Sequence, residues 1–79
     1  MTFHFTEKQG QYLAYIYYYT KINYQPPAEA DIQRYFQVTP PTVHQMILKL
    51  EQNGLIRRTA RQARTITVLV PSDELPRLK

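Results

Sequence analysis

Residues 38–58 read VTPPTVHQMILKLEQNGLIRR, and this stretch decides the fold. Two adjacent prolines, Pro40 and Pro41, open a run with helical spacing. Apolar Val43, Met46, Ile47 and Leu50 recur at offsets of three, four and seven, the pattern of one buried helix face. Thr42, His44, Gln45, Lys49 and Gln52 mostly fall elsewhere on the wheel, on a polar face whose N-terminal half carries no acid. The spacing predicts a helix from about Pro41 to Asn53, ended by Gly54 as C-terminal cap, with Leu55 packing back on the last turn. Proline is well tolerated at a helix start. Thr39 is the expected N-cap, accepting from the Thr42 N–H because Pro40 and Pro41 have none. Pro41 disfavours the helical conformation at Pro40, so the cap position is open by one residue.

Upstream, Thr6 and Gln9 match a capping box, which predicts a helix from about Glu7 to Lys21. Gly10 weakens its first turns slightly. Leu13, Ile16 and Thr20 recur on one face, flanked by Tyr12 and Tyr19. Ile16 and Tyr19 are expected in the core, with Tyr12 or Tyr15 partly so. Asn23 is the expected C-terminal cap, and Pro26-Pro27 forces an extended connection. A second helix is expected over about Glu29–Phe36, with Glu29 and Asp31 in the first turn, where the helix dipole favours acids. Ile32, Tyr35 and Phe36 make its expected buried stripe.

Downstream the period changes to two. Residues 56–59 and 65–70 read as strands, the second with Ile66, Val68 and Val70 on one face. Residues 60–64 are the hairpin tip, and Pro71 ends the second strand. Residues 71–79 read as a short polar tail. The fold class is therefore mainly α: a winged helix-turn-helix of three helices followed by a two-stranded β-hairpin wing, one domain over residues 1–79 with its core at about 5–70.

Seventy-nine residues bury a modest core. The chain has no cysteine, which excludes disulfides and cysteine zinc sites and fits a reducing compartment, here the cytoplasm. The N-terminus lacks the apolar stretch of a signal peptide, and no apolar run is long enough to span a bilayer. No membrane role and no cofactor are expected. Nor is an enzyme: His4 and His44 sit in different elements, Ser72 in the tail is the only serine, and no carboxylate pair shares a face. His4 is expected to be solvated. The formal charge of +4 is uneven. Residues 1–31 sum to −1 and residues 32–72 to +5. A localised basic segment is the footprint of a polyanion partner.

Phe5-Thr6 with Gln9, Pro26-Pro27, Thr39-Pro40, Thr42-Val43-His44, Leu50-Glu51, Gly54-Leu55-Ile56-Arg57 and Ala63-Arg64 form an ordered set over roughly residues 5–70. In this set the chain resembles the winged helix-turn-helix DNA-binding domain of LexA-type repressors. The sequence departs from that pattern at Ala28, where the family has a Ser or Thr cap, and at Gln37, where a glycine is expected in the turn. The wing tip also lacks a glycine. LexA-type repressors carry a second domain with a serine–lysine pair for self-cleavage and for dimerisation, which this sequence is not expected to supply.

The resemblance implies sequence-specific binding of double-stranded DNA by a small transcriptional regulator, with helix three in the major groove. Thr42, His44 and Gln45 are its candidate base contacts. Gln pairs with the adenine N6/N7 edge, Thr hydrogen-bonds or touches a thymine methyl, and His44 donates to a guanine N7 or to a phosphate. Thr39 joins them at the helix start. Lys49, Arg57, Arg58, Arg61 and Arg64 are the candidate phosphate contacts, with Arg61 and Arg64 at the wing tip able to reach the backbone or an adjacent minor groove. A homodimer or protein partner is also expected. Tyr17 and Tyr18, Leu48, and Leu75 with Leu78 are the candidate contacts for it. The competing reading is a winged-helix protein-interaction module whose basic face binds an acidic partner.

Overall fold

The computed structural model describes residues 3–79. The order is α1 Glu7–Asn23, α2 Glu29–Phe36, α3 Pro40–Gln52, β1 Ile56–Arg57, β2 Thr67–Val68 and a 3-10 turn at Ser72–Glu74. Three helices followed by an antiparallel pair make a mainly helical winged helix.

The capping box at α1 is complete. The Thr6 hydroxyl accepts from the Gln9 N–H at 3.1 Å, and the Gln9 side chain accepts from the Thr6 N–H at 2.9 Å. The helix runs two residues past Lys21, and its left-handed cap is Tyr24 (φ 61°) in place of the expected Asn23. Asn23 stays in the last turn and donates its side-chain amide to the Tyr19 carbonyl. At α2, Ala28 supplies no side-chain acceptor, so only half the box forms: Asp31 reaches back to the Ala28 N–H at 2.9 Å. Gln37 takes the left-handed turn (φ 54°) where a glycine was expected.

At α3, Thr39 is the N-cap residue and Pro40 and Pro41 fill the first two helical positions. The expected Thr39 bond to the Thr42 N–H is absent; the two hydroxyls meet each other at 2.8 Å instead. The far end closes as a Schellman motif. Leu55 N–H donates to the Leu50 carbonyl at 2.9 Å and Gly54 N–H to the Glu51 carbonyl at 3.0 Å, with Gly54 at φ 73°.

Tyr12, Leu13 and Ile16 of α1, Ile32 of α2, and Val43, Ile47 and Leu50 of α3 share one core with Leu55, Ile56, Ile66 and Val70 from the hairpin. Tyr12 is fully buried and its ring stacks on Phe36 at 4.3 Å. Tyr19 is only half-buried, and Tyr35 is 43% exposed, so neither joins the core as expected. Tyr35 stacks on Tyr15 at the surface instead.

The hairpin differs most from expectation. Its ladder has two pairs, Ile56 with Val68 and Arg57 with Thr67. The strands stop early because Thr65 captures the turn: its hydroxyl lies 3.0 Å from the Thr59 N–H, 3.2 Å from the Thr59 carbonyl and 3.1 Å from the Gln62 carbonyl. Without a glycine, Arg61 and Arg64 take the left-handed positions, at φ 65° and 61°.

The tail is structured rather than a free polar end. Leu75 packs against the core, and Gln11 holds Lys79 N–H and the Arg77 carbonyl at 2.9 Å each. Pro76 lies over Gly10, where an added Cβ would meet Pro76 Cγ at 2.9 Å and Phe5 Cε1 at 3.0 Å. Gly10 is thus a contact requirement, not a flaw in the helix.

Candidate nucleic-acid interface

Burial of Val43, Ile47 and Leu50 turns the opposite side of α3 to solvent. Thr42, His44, Gln45, Leu48, Lys49 and Gln52 are all exposed there, and Thr39 is exposed at the helix start. Gln45, Leu48 and Gln52 run along the middle of that face, opposite the buried stripe. Leu48 is 43% exposed. Expected as a partner contact, it stands among the polar candidates, where an apolar side chain suits a thymine methyl.

The first turn of α3 contains no acid. In three dimensions that face is not free of carboxylates, because α2 brings Glu29 beside it, with Oε1 3.4 Å from His44 Nδ1. Linear sequence gave no sign of this, since the two residues meet only through the helix-turn-helix angle. Glu29, His44, Arg58, Arg61 and residues 60, 62 and 63 line a groove between α3 and the wing.

The basic candidates divide into two groups. Lys49, Arg57 and Arg61 are exposed, and among the described residues none of them makes an ion pair. Arg58 and Arg64 are engaged. Arg58 Nε lies 3.2 Å from Glu51 Oε1, its side chain 15% exposed, and ties the wing base to the end of α3. Arg64 folds back on the helices: its guanidinium donates to the Tyr19 hydroxyl at 3.1 Å and pairs with Asp31 at 3.1 Å. The structure therefore brings His44 and Arg61 to one groove and directs the Arg64 head group to the body.

Two acids expected only at the start of α2 make contacts that the linear sequence does not show: Glu29 faces His44, and Asp31 pairs with Arg64. Burial and hydrogen-bonded partners act on the Asp31 carboxylate in opposite directions. The Ala28 N–H, and then the Arg64 and Arg34 guanidiniums, hold its carboxyl below the usual carboxylate range, against the opposing effect of burial.

The family described as "Iron dependent repressor, N-terminal DNA binding domain" matches residues 4–63. The LexA repressor of Thermosipho melanesiensis is 34% identical over 64 residues, covering 81% of this chain and 32% of that protein. The LexA repressor of Thermosipho africanus is 33% identical over 64 residues, with the same shares. The chain thus spans about a third of the length of these curated relatives. Among the described residues no three His, Cys, Asp or Glu side chains are placed to hold a metal ion, so this donor set does not fit an iron site. No described helix is long and apolar enough to cross a membrane.

Proposed function

The chain belongs to the family of iron dependent repressor N-terminal DNA-binding domains, and from that premise we propose that it regulates transcription by sequence-specific binding of duplex DNA, with α3 in the major groove. The observation that carries the reading is the outer face of α3. It is exposed along its length, and the first turn, which leads into the groove in this class of motif, has no acid. Gln45 and His44 read base edges, Leu48 touches a thymine methyl, and Thr42 and Thr39 contact the helix-start backbone or bases. Lys49, Arg57 and Arg61 supply phosphate contacts that carry no sequence information.

One recognition helix reads few base pairs, so the DNA-bound form is a pair of copies on half-sites about one helical turn apart. Tyr18, 40% exposed, and Ile22, 72% exposed, sit one turn apart on α1 and supply the first contact for pairing. Sedimentation of the complex on a selected site tests this, and a one-to-one complex on a site without repeat symmetry removes it.

Selection of bound sites from a random duplex pool tests the whole reading. The expected result is an enriched motif whose preference at one position relaxes in Gln45→Ala, at a cost of about 1–3 kcal/mol on the best site. Absence of duplex binding at low salt would instead favour a winged helix whose basic face serves an acidic protein partner.

A further inference from the structure

The wing is weakly held by its own ladder, which has two residue pairs. Two non-glycine residues of the intervening loop, Arg61 and Arg64, sit in left-handed backbone, a conformation that persists only when surroundings enforce it. Among the described residues, side-chain hydrogen bonds and ion pairs join loop 58–66 to the helices at two points. One is Arg58 with Glu51 at the wing base. The other is Arg64, which reaches Tyr19 of α1, the Pro26 carbonyl in the connection to α2, and Asp31 of α2.

Asp31 is the hub of the second point. Its side chain is 11% exposed. Three donors converge on its carboxylate: the Ala28 N–H at 2.9 Å, Arg34 at 2.6 Å and Arg64 at 3.1 Å. The first bond half-caps α2, the leading helix of the helix-turn-helix. The third belongs to the wing. One carboxylate therefore sets the start of α2 and the lie of the hairpin together.

We infer that Asp31 is a positioning residue for DNA binding: through Arg64 it clamps the wing against α1 and α2 and fixes where Arg61 stands relative to α3. The inference rests on the DNA-binding reading above for its functional half. Arg64, engaged with Asp31, acts on the wing's position and not as a phosphate contact of its own.

The sign of one substitution separates this from bulk electrostatics. Asp31→Asn removes a negative charge, which by long-range attraction alone raises affinity for a polyanion. A positioning role lowers it. Asparagine keeps an oxygen for the Ala28 N–H, so the α2 cap survives while the charge pair with Arg64 is lost. Duplex affinity and its salt dependence are measured for the wild type, Asp31→Asn, Arg64→Ala and the double variant, and for Arg61→Ala in each background. Amide hydrogen exchange of residues 59–65 is followed in the free proteins, with circular dichroism to confirm folding.

The expected result is a loss of about tenfold in affinity for Asp31→Asn, the scale of one charge-assisted hydrogen bond. Faster exchange confined to the wing accompanies it, and Arg61→Ala has a smaller effect once the clamp is gone. A folded Asp31→Asn that binds as well as or better than the wild type overturns the inference. So does a wing whose exchange is unchanged. If the wild type binds no duplex at low salt, the DNA-binding reading fails, while the exchange measurement still decides whether the clamp exists.

Discussion

His44 Nδ1 lies 3.4 Å from one carboxylate oxygen of Glu29 and 3.5 Å from the other. A ring that donates its Nδ1–H to that carboxylate leaves Nε2 as an acceptor when neutral. An acceptor in the major groove suits the amino groups of cytosine and adenine, not guanine N7. On the proposed docking of α3, Glu29 would shape which base His44 reads, although it belongs to α2.

Glu29→Ala is expected to relax preference at a single base position, with guanine newly tolerated there. It also removes an acid from the groove between α3 and the wing, so affinity for random duplex should rise. Site selection paired with a salt titration measures both. Unchanged preference and unchanged affinity would show that Glu29 faces no DNA. The opposite signs expected for Glu29→Ala and Asp31→Asn, two acids of one helix turn, form an internal control.

Arg61→Ala should weaken binding to specific and random duplexes alike. Its head group is exposed and pairs with no carboxylate among the described residues. Loss of one phosphate contact flattens the log–log salt dependence by about 0.9. An unchanged slope would mean that the wing tip stays clear of the backbone.

Gly10→Ala should destabilise the fold, against the usual gain of about 1 kcal/mol for replacing a helical glycine. The new methyl group would press on Pro76 at 2.9 Å and Phe5 at 3.0 Å. Overpacking of this kind costs about 1–3 kcal/mol. A urea midpoint that falls less for Gly10→Ala in a Pro76→Ala background than in the wild type would confirm the Pro76 contact as part of the cause.

Gly54→Ala destabilises for a different reason. Nothing lies within 4 Å of its added Cβ, but its φ of 73° closes the Schellman motif. The expected cost is about 1 kcal/mol, less for Gly54→Asn, and α3 should fray at that end in exchange measurements.

Acid should loosen the molecule through Asp31, whose carboxyl is held below its ordinary value of 3.8 by the Ala28 N–H first and by Arg64 and Arg34 after it. A depressed pKa contributes stability that is complete above the ordinary value and lost as pH falls through the depressed one. The window therefore lies below pH 3.8. Asp31→Asn should flatten stability against pH in that window and leave the profile above it unaltered in shape.

Local rules carried most of the architecture. The Thr6–Gln9 box, the Gly54-Leu55 ending and the stripe of Val43, Ile47 and Leu50 are short-range patterns, and each helix stands within two residues of its expected bounds, whereas the strands keep half or less of their expected length. The strands shortened because one hydroxyl, at Thr65, offered the loop a competing set of partners. Arg64 illustrates what linear reading misses. Next to Arg61 in a basic loop it looks like a phosphate ligand, and only the folded chain brings Asp31 and Tyr19 to it. Glu29 escaped in the same way. The tail looks free in the sequence because it has only two leucines, whereas its attachment combines Leu75 on the core with Gln11 holding the tail backbone.

Pro40 and Pro41 remove two amides from the leading end of α3 and fix two backbone torsions there. The chain thus loses conformational freedom at this point before folding begins, because the rings restrict the unfolded ensemble as well. On the proposed docking, this end of α3 would meet a duplex already stiff, with little motion left to be frozen. Recognition at this end becomes a matter of fit between a rigid edge and the groove. Adaptation to a different operator would then come by exchanging the side chains at positions 42, 44 and 45, with the backbone that displays them unmoved.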